Sequence, residues 1–281
     1  MKRLGWMIAV VALAAPLRPA QPAAPASPDA LFGQAAARIL ARDFSTPDVS
    51  YLLLDARSGG LLAARWESPA QPVPVGSLIK PFTALAYGAA HHYDFPVYRC
   101  DGRVCWLPRG HGRLGIQEAV AHSCNSYFAQ LAAQLHPRDV DAVLARFGLD
   151  GPAERVPPAA LIGEGNYWRA SPLALTRAYV ELARRRGEEG VREVVAGMAL
   201  SARLGTGEGV DRALGGEAAL SKTGTAPCVH NLRAPGDGYA LVLYPAESPR
   251  LALLVRLHGQ PGSHAAVTAG KMLRDLERGR P

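Results

Sequence analysis

Lysine is nearly absent from this chain: of 31 basic residues, 27 are arginine and four are lysine, namely Lys2, Lys80, Lys222 and Lys271. Arginine stays protonated at any working pH, whereas a desolvated lysine can lose its proton. A lysine kept among so many arginines marks a place where an amine has to deprotonate, and Lys80, within PVGSLIKPFTALAYG, is the first candidate. Long hydrophobic runs are missing too. The N-terminal run GWMIAVVALAA falls well short of the ~20 residues a spanning helix needs. Lys2 and Arg3 precede it and the Ala/Pro-rich PLRPAQPAAPASP follows, so residues 1–26 are read as a secretory signal peptide and linker. Cleavage is expected among Ala20, Ala23 and Ala26, and an uncleaved N-terminal anchor is the alternative. Clusters of basic charge are lacking as well. The arginines are scattered, and the one run, Arg184-Arg185-Arg186, closes a helix where it offsets the dipole, which excludes a nucleic-acid partner. No internal repeat is present, which excludes a solenoid. What remains, 48% apolar and 20% charged residues, is the composition of a globular domain. Losing residues 1–20 lowers the formal charge of +7 by three, and the mild basic excess left suits anionic envelope polymers or lipid headgroups.

Cysteine is also sparse, at four residues. Export makes them potential disulfide partners. Cys100 and Cys105 bracket DGRV, whose Asp-Gly could close a tight hairpin, so a local bridge is expected there. Cys100, Cys105, His111 and either His122 or Cys124 could instead hold zinc, although their spacing fits no ligand pattern well. Cys124 and Cys228 read as inert buried thiols.

Residues 30–43 carry a helical apolar stripe, and VSYLLLDARSGGLLAARWE reads as a hairpin around Ser-Gly-Gly. A helix is expected to open at Ser77. Short helices fill 115–147, and SPLALTRAYVELARRRG forms another, with Ser171 as N-cap and Gly187 as its stop. Beyond residue 217, AALSKTGT, YALVLY and RLALLVRL read as three strands before a terminal amphipathic helix. The fold class is therefore α/β in the α+β sense. An antiparallel sheet is built from about 28–80 and 215–281, flanked by the N- and C-terminal helices, with a helical subdomain inserted at about 81–214.

Ser77 and Lys80, three apart, fall on one face of the expected helix, where an amine of lowered pKa can take the serine proton. Two further stretches accompany them, Ser123-Cys124-Asn125 in AHSCNSYF and Lys222-Thr223-Gly224-Thr225 in SKTGTAP. Singly, each reads as a cap or a turn. Together the Ser-x-x-Lys, Ser-x-Asn and Lys-Thr-Gly boxes resemble those of penicillin-recognising serine enzymes, in the same order. The flanking segments GHGRLGIQEAVAHSCNSYF, IGEGNYWRASPLALTRAYVELAR and GYALVLYPAESPRLALLVRL are similar to the transpeptidase domain of penicillin-binding proteins, from about residue 50 to 276.

The resemblance implies a transpeptidase-like catalytic domain over 27–281 that needs no cofactor and no metal. Ser77 would attack the penultimate D-Ala carbonyl of a peptidoglycan stem peptide, forming an acyl-enzyme and releasing D-Ala. Lys80 would accept its proton, Ser123 would relay a proton to the leaving amine, and Asn125 would hold Lys80 and the substrate amide. Lys222 would add positive potential, Thr223 and Thr225 would face the substrate carboxylate, and Gly224 would leave room for substrate along the strand. The N–H groups of Ser77 and Thr225 would form the oxyanion hole. β-Lactams would act as covalent inhibitors. The implied setting is the periplasm or the outer face of the cell membrane, as a stand-alone catalytic module with an envelope partner protein for localisation. A β-lactamase is the second reading, although Glu164 has Asn166 two places on, not at the spacing of the lactamase class that uses such a pair. A sensor that is acylated without turnover is the third. The aromatics Tyr98, Trp106, Tyr167 and Trp168 are expected to pack in the core or subdomain more than to line a cleft.

Overall fold

The computed structural model describes residues 28–151, 156–228 and 233–279, so the stretch read as a signal peptide lies outside the described residues. Helix α1 (Pro28–Asp43) leads into the hairpin β1 (Val49–Asp55) and β2 (Leu61–Arg65), and strand β3 (Val73–Pro74) precedes α2 (Lys80–Ala90). A ribbon of β4 (Tyr98–Cys100) and β5 (Gly112–Leu114) is followed by α3 (Ile116–Ala121), α4 (Asn125–Ala132) and α5 (Pro137–Arg146). Strand β6 (Arg169–Ala170) pairs with β3, and α6 (Pro172–Arg184), α7 (Val191–Leu204) and α8 (Gly209–Ala213) come next. Strands β7 (Leu220–Ala226), β8 (Asp237–Tyr244) and β9 (Leu251–His258) lead to α9 (Gly262–Arg278).

The main sheet runs β2-β1-β9-β8-β7 and is antiparallel throughout. The N-terminal hairpin joins the C-terminal strands through β1 and β9, with Leu52 opposite Leu254. Both faces of the sheet are covered, which explains why its strands read as continuous apolar runs instead of alternating ones. Successive side chains go to opposite faces. Tyr51 and Leu53 pack with α1 and α9, while Leu52 and Leu54 pack with the helical part. At the far end of that first layer Leu31, Phe32 and Ile39 of α1 face Leu276 and Gly279, and the end of α9 is seated against Ile39.

Helix α2 is buried from Lys80 to Gly88, as a helix that is apolar on nearly every side must be. Phe82 meets Phe147 and Tyr179 edge to face, with ring centroids 5.3 and 5.5 Å apart. Helix α6 begins as expected: Ser171 Oγ accepts from Ala174 N at 2.9 Å. It ends at Arg184, short of Gly187.

The expected Cys100–Cys105 bridge is not formed, and all four cysteines are free. Cys100 ends β4, whose partner β5 starts only at Gly112, so Asp101-Gly102 closes no tight hairpin between the two sulfurs. A longer loop, 101–111, carries Cys105 and His111 instead.

Candidate active site

Ser77 sits in a 3₁₀ turn, Gly76–Ile79, and α2 proper starts at Lys80. The turn is pressed onto β7. Gly76 has φ +55°, and a Cβ there would stand 2.5 Å from the Thr225 carbonyl oxygen, so only glycine lets the turn that carries Ser77 approach the strand. From the other side Tyr179 Oη donates to Leu78 O at 2.7 Å. Gly224 answers the same contact: a Cβ on it would lie 3.2 Å from Leu78 N and 3.3 Å from Ser77 N. The room it leaves is therefore taken by the turn that carries Ser77, which corrects the expectation that it is cleared for substrate alone.

Lys80 is fully buried. Its Nζ donates to Ser123 O at 2.9 Å and to Asn125 Oδ1 at 2.5 Å. Burial lowers its pKa to about 8, against smaller opposing pulls from Cys124, Cys105 and Glu164. Among the described residues the amine makes no hydrogen bond to Ser77, so the direct contact expected from the three-residue spacing is not present. The reason is satisfaction of a buried cation. An ammonium has three donors, the 123–125 segment supplies two acceptors, and one donor direction is left over.

Ser123 serves both lysines. It is one of few non-glycine residues with positive φ, at +50°, and this turns its carbonyl toward Lys80 while its Oγ accepts from Lys222 Nζ at 2.8 Å. Lys222 also donates to Thr223 O at 2.6 Å. Its pKa lies well below the ordinary lysine value, first because it is buried and then because Lys80 is near. Asn125 opens α4, and its Nδ2 donates to Glu164 Oε1 at 3.4 Å.

On β7 the two threonines differ. Thr223 is buried and its Oγ1 donates to Thr206 Oγ1 at 2.5 Å, whereas Thr225 is exposed and its Oγ1 accepts from Gly262 N at 3.2 Å. Strand β7 is the edge of the sheet, so its outer side offers unpaired backbone groups. A cleft of about 470 Å³ runs along it, lined by Ser77, Ser123, Asn125, Thr223, Gly224 and Thr225 among others. Lys80 and Lys222, with no exposed surface, lie beneath.

Sequence reasoning missed Thr206, which sits in a Gly-Thr-Gly stretch with no chemical signal of its own, and the contact of Glu164 with Asn125. Trp106 is half exposed on the cleft wall, its Nε1 donating to His122 O at 2.9 Å, so the expectation of core packing fails for it. Trp168 is buried as expected, and Tyr167 is exposed.

The architecture is the fold of the transpeptidase domain of penicillin-binding proteins. The chain is similar to Pseudomonas aeruginosa PBP2 in complex with WCK 5153, at 17% identity and a TM-score of 0.70, over 88% of this chain and 73% of that one. It is also similar to the transpeptidase domain of Burkholderia pseudomallei penicillin-binding protein 3, at 15% identity and 0.67, over 89% and 92%. A third similar structure is the PBP2 of a complex with MreC from Helicobacter pylori, at 17% and 0.70, over 88% and 62%. No family model and no curated protein sequence matches the chain.

Proposed function

We propose that the chain is a serine acyltransferase acting outside the cytoplasm on the D-Ala-D-Ala ends of peptidoglycan stem peptides. One observation carries this reading: Ser77, Lys80, Ser123, Asn125 and Lys222, drawn from three distant segments, converge at one cleft along an edge strand. Ser77 Oγ attacks the penultimate carbonyl, and the neutral Lys80 amine takes its proton through the donor direction left free by the 123–125 segment. The N–H groups of Ser77 and Thr225 hold the oxyanion, a contact worth roughly 10²–10³ in rate per donor. As the amide C–N bond breaks, the Ser123 hydroxyl, held by Lys222, passes a proton to the departing D-Ala amine. Asn125 fixes the Lys80 amine, and the exposed Thr225 hydroxyl meets the substrate carboxylate. A second amine then gives a cross-link, and water gives carboxypeptidase action.

Hydrolysis of the acyl-enzyme, of a peptide or of a β-lactam, is the second reading. The Glu164 carboxylate beside Asn125 favours it, because a carboxylate there can serve as base for water. β-Lactams are read as covalent ligands of Ser77, and an envelope protein as the localising partner. No helix among the described residues is long and apolar enough to cross a membrane.

A labelled penicillin should mark the wild-type chain and not Ser77→Ala, and D-Ala should be released from a D-Ala-D-Ala pentapeptide. Equal labelling of Ser77→Ala would remove the nucleophile from this assignment, and labelling without D-Ala release would leave a sensor. Digests of sacculi separated into cross-linked and trimmed products decide between transfer and hydrolysis.

A further inference from the structure

Behind the 123–125 segment, the side chains of Cys100, Cys105, His111 and Cys124 converge, with all four ligand atoms within 4.8 Å of one another. Cys100 Sγ and Cys105 Sγ lie 3.6 and 3.5 Å from His111 Nδ1, and Cys105 Sγ lies 3.9 Å from Cys124 Sγ. Cys100 Sγ lies within 4.8 Å of both other sulfurs. Zinc bonds of ~2.3 Å to sulfur and ~2.0 Å to nitrogen, at a tetrahedral angle, place two sulfurs ~3.8 Å apart and sulfur and nitrogen ~3.6 Å apart. The Cys100–His111, Cys105–His111 and Cys105–Cys124 pairs already stand close to those separations, and the remaining pairs lie within 4.8 Å.

We propose that these residues form a Cys₃His site for a thiophilic divalent ion, zinc first, that clamps the 101–111 loop to the Ser123–Asn125 segment. The surroundings suit bound thiolates. Tyr127 N donates to Cys124 Sγ at 3.5 Å, and the backbone N–H groups of Leu107, Ser126 and Asn125 lie near the Cys105 sulfur and favour its thiolate. His111 turns Nδ1 to the sulfurs, and its buried Nε2 has no hydrogen-bond partner among the described residues. Of the two candidates for a fourth ligand, Cys124 belongs to the cluster, while His122 stacks on the His111 ring at 5.3 Å. Disulfide chemistry fits the group poorly, because three thiols cannot all pair within one chain and the imidazole would have no role. Binding replaces three S–H protons by the ion and leaves one net negative charge.

The position gives the ion a consequence, which rests on the acyl-transfer reading. Cys124 stands between Ser123, whose strained backbone meets Lys80, and Asn125, which accepts from the same amine. An ion holding Cys124 keeps both acceptors in place. It also holds the loop that presents Trp106 to the cleft.

The full chain, purified under reducing conditions, loaded with zinc and desalted, should retain one zinc equivalent that survives Cys228→Ser, by elemental mass spectrometry. Cobalt in its place should give the thiolate charge-transfer and intense visible bands of a tetrahedral sulfur site. Cys100→Ser, Cys105→Ser and Cys124→Ser should each lose this ion, by at least the ~10–100-fold in affinity that removing even an indirect partner costs. His111→Cys should keep the metal with an altered cobalt spectrum, showing that the ligand set and not the overall fold is being read. No bound zinc or cobalt in the reduced chain, or retention of the ion by all three serine variants, overturns the site. So does a Cys105–Cys124 disulfide in peptide maps of the exported protein. Chelation should slow penicillin acylation by ~10-fold or more with unchanged circular dichroism, and zinc should restore it. Acylation indifferent to metal removal refutes the clamp. A metal-loaded chain that never acylates refutes the acyl-transfer reading and leaves the ion site standing.

Discussion

Replacing Lys80 by arginine keeps the positive charge and removes the proposed base. In the native chain burial lowers the Lys80 pKa to about 8. At pH 7 such an amine is neutral in roughly one molecule in ten, whereas arginine, effectively always protonated, is neutral in fewer than ~1 in 10⁵. The neutral population thus falls by ~10⁴ or more, and the rate can lose no more than a general base contributes, ~10²–10⁴. Acylation by a labelled penicillin should therefore slow by at least ~10² at pH 7. The sign of the pH dependence follows from which form acts. If the deprotonated amine is the base, as proposed, the native rate should climb about tenfold per pH unit below pH 8 and level off above it, while the arginine variant stays low and flat. Lys80 has no exposed surface, so a bulkier guanidinium could disturb the fold, and the melting temperature is measured alongside. Lys80→Met, similar in reach and without charge, serves if arginine does not fit. A variant that melts like the native chain and acylates within ~10-fold of it at pH 7 refutes the argument. Lys222, also held below its ordinary pKa and bonded to Ser123 Oγ, would then carry the proton.

Two further substitutions probe how the turn bearing Ser77 is held, and a third calibrates them. Gly76→Ala puts a Cβ 2.5 Å from the Thr225 carbonyl at φ +55°; it should cost ~1–3 kcal/mol in urea unfolding and slow acylation as the turn lifts off β7. Tyr179→Phe strips the buried Leu78 carbonyl of its donor, so a loss of ~1–3 kcal/mol is expected together with slower acylation, and unchanged stability would show that the carbonyl finds another partner. Ser171→Ala removes only the α6 cap and should cost ~1 kcal/mol with acylation intact, which calibrates how far stability loss alone affects the assay.

The sheet was legible because its strands are buried on both faces: VSYLLLD, YALVLY and RLALLVRL are too apolar to be loops and too short to be helices of this size. Helix α9 was legible from its single apolar stripe. The ribbons β3–β6 and β4–β5 were not, since two or three residues carry no period, and their pairing is set by packing across distant segments. Helix α7 had a signal in Val194, Val195, Met198 and Ala202, masked by glycines at both of its ends. At the site, the scarcity of lysine and the resemblance of three short boxes to those of penicillin-recognising serine enzymes singled out Ser77, Lys80, Ser123, Asn125 and Lys222, and the chain does bring them together. Spacing could not show how they interact. The Ser77 to Lys80 separation suggested a direct contact, yet the buried ammonium takes its acceptors from a loop more than forty residues away. Nor could Cys-x-x-x-x-Cys reveal that its sulfurs converge with a third, because the 101–111 loop has no regular structure from which to project side chains.

Helix α9 spans the depth of the fold. Its first residues border the cleft at Gly262, and its 17 residues extend ~25 Å before ending against Ile39 of α1. Gly279 therefore stands a full helix length from the cleft wall, and a bulky label attached there would leave the opening beside Thr225 unobstructed.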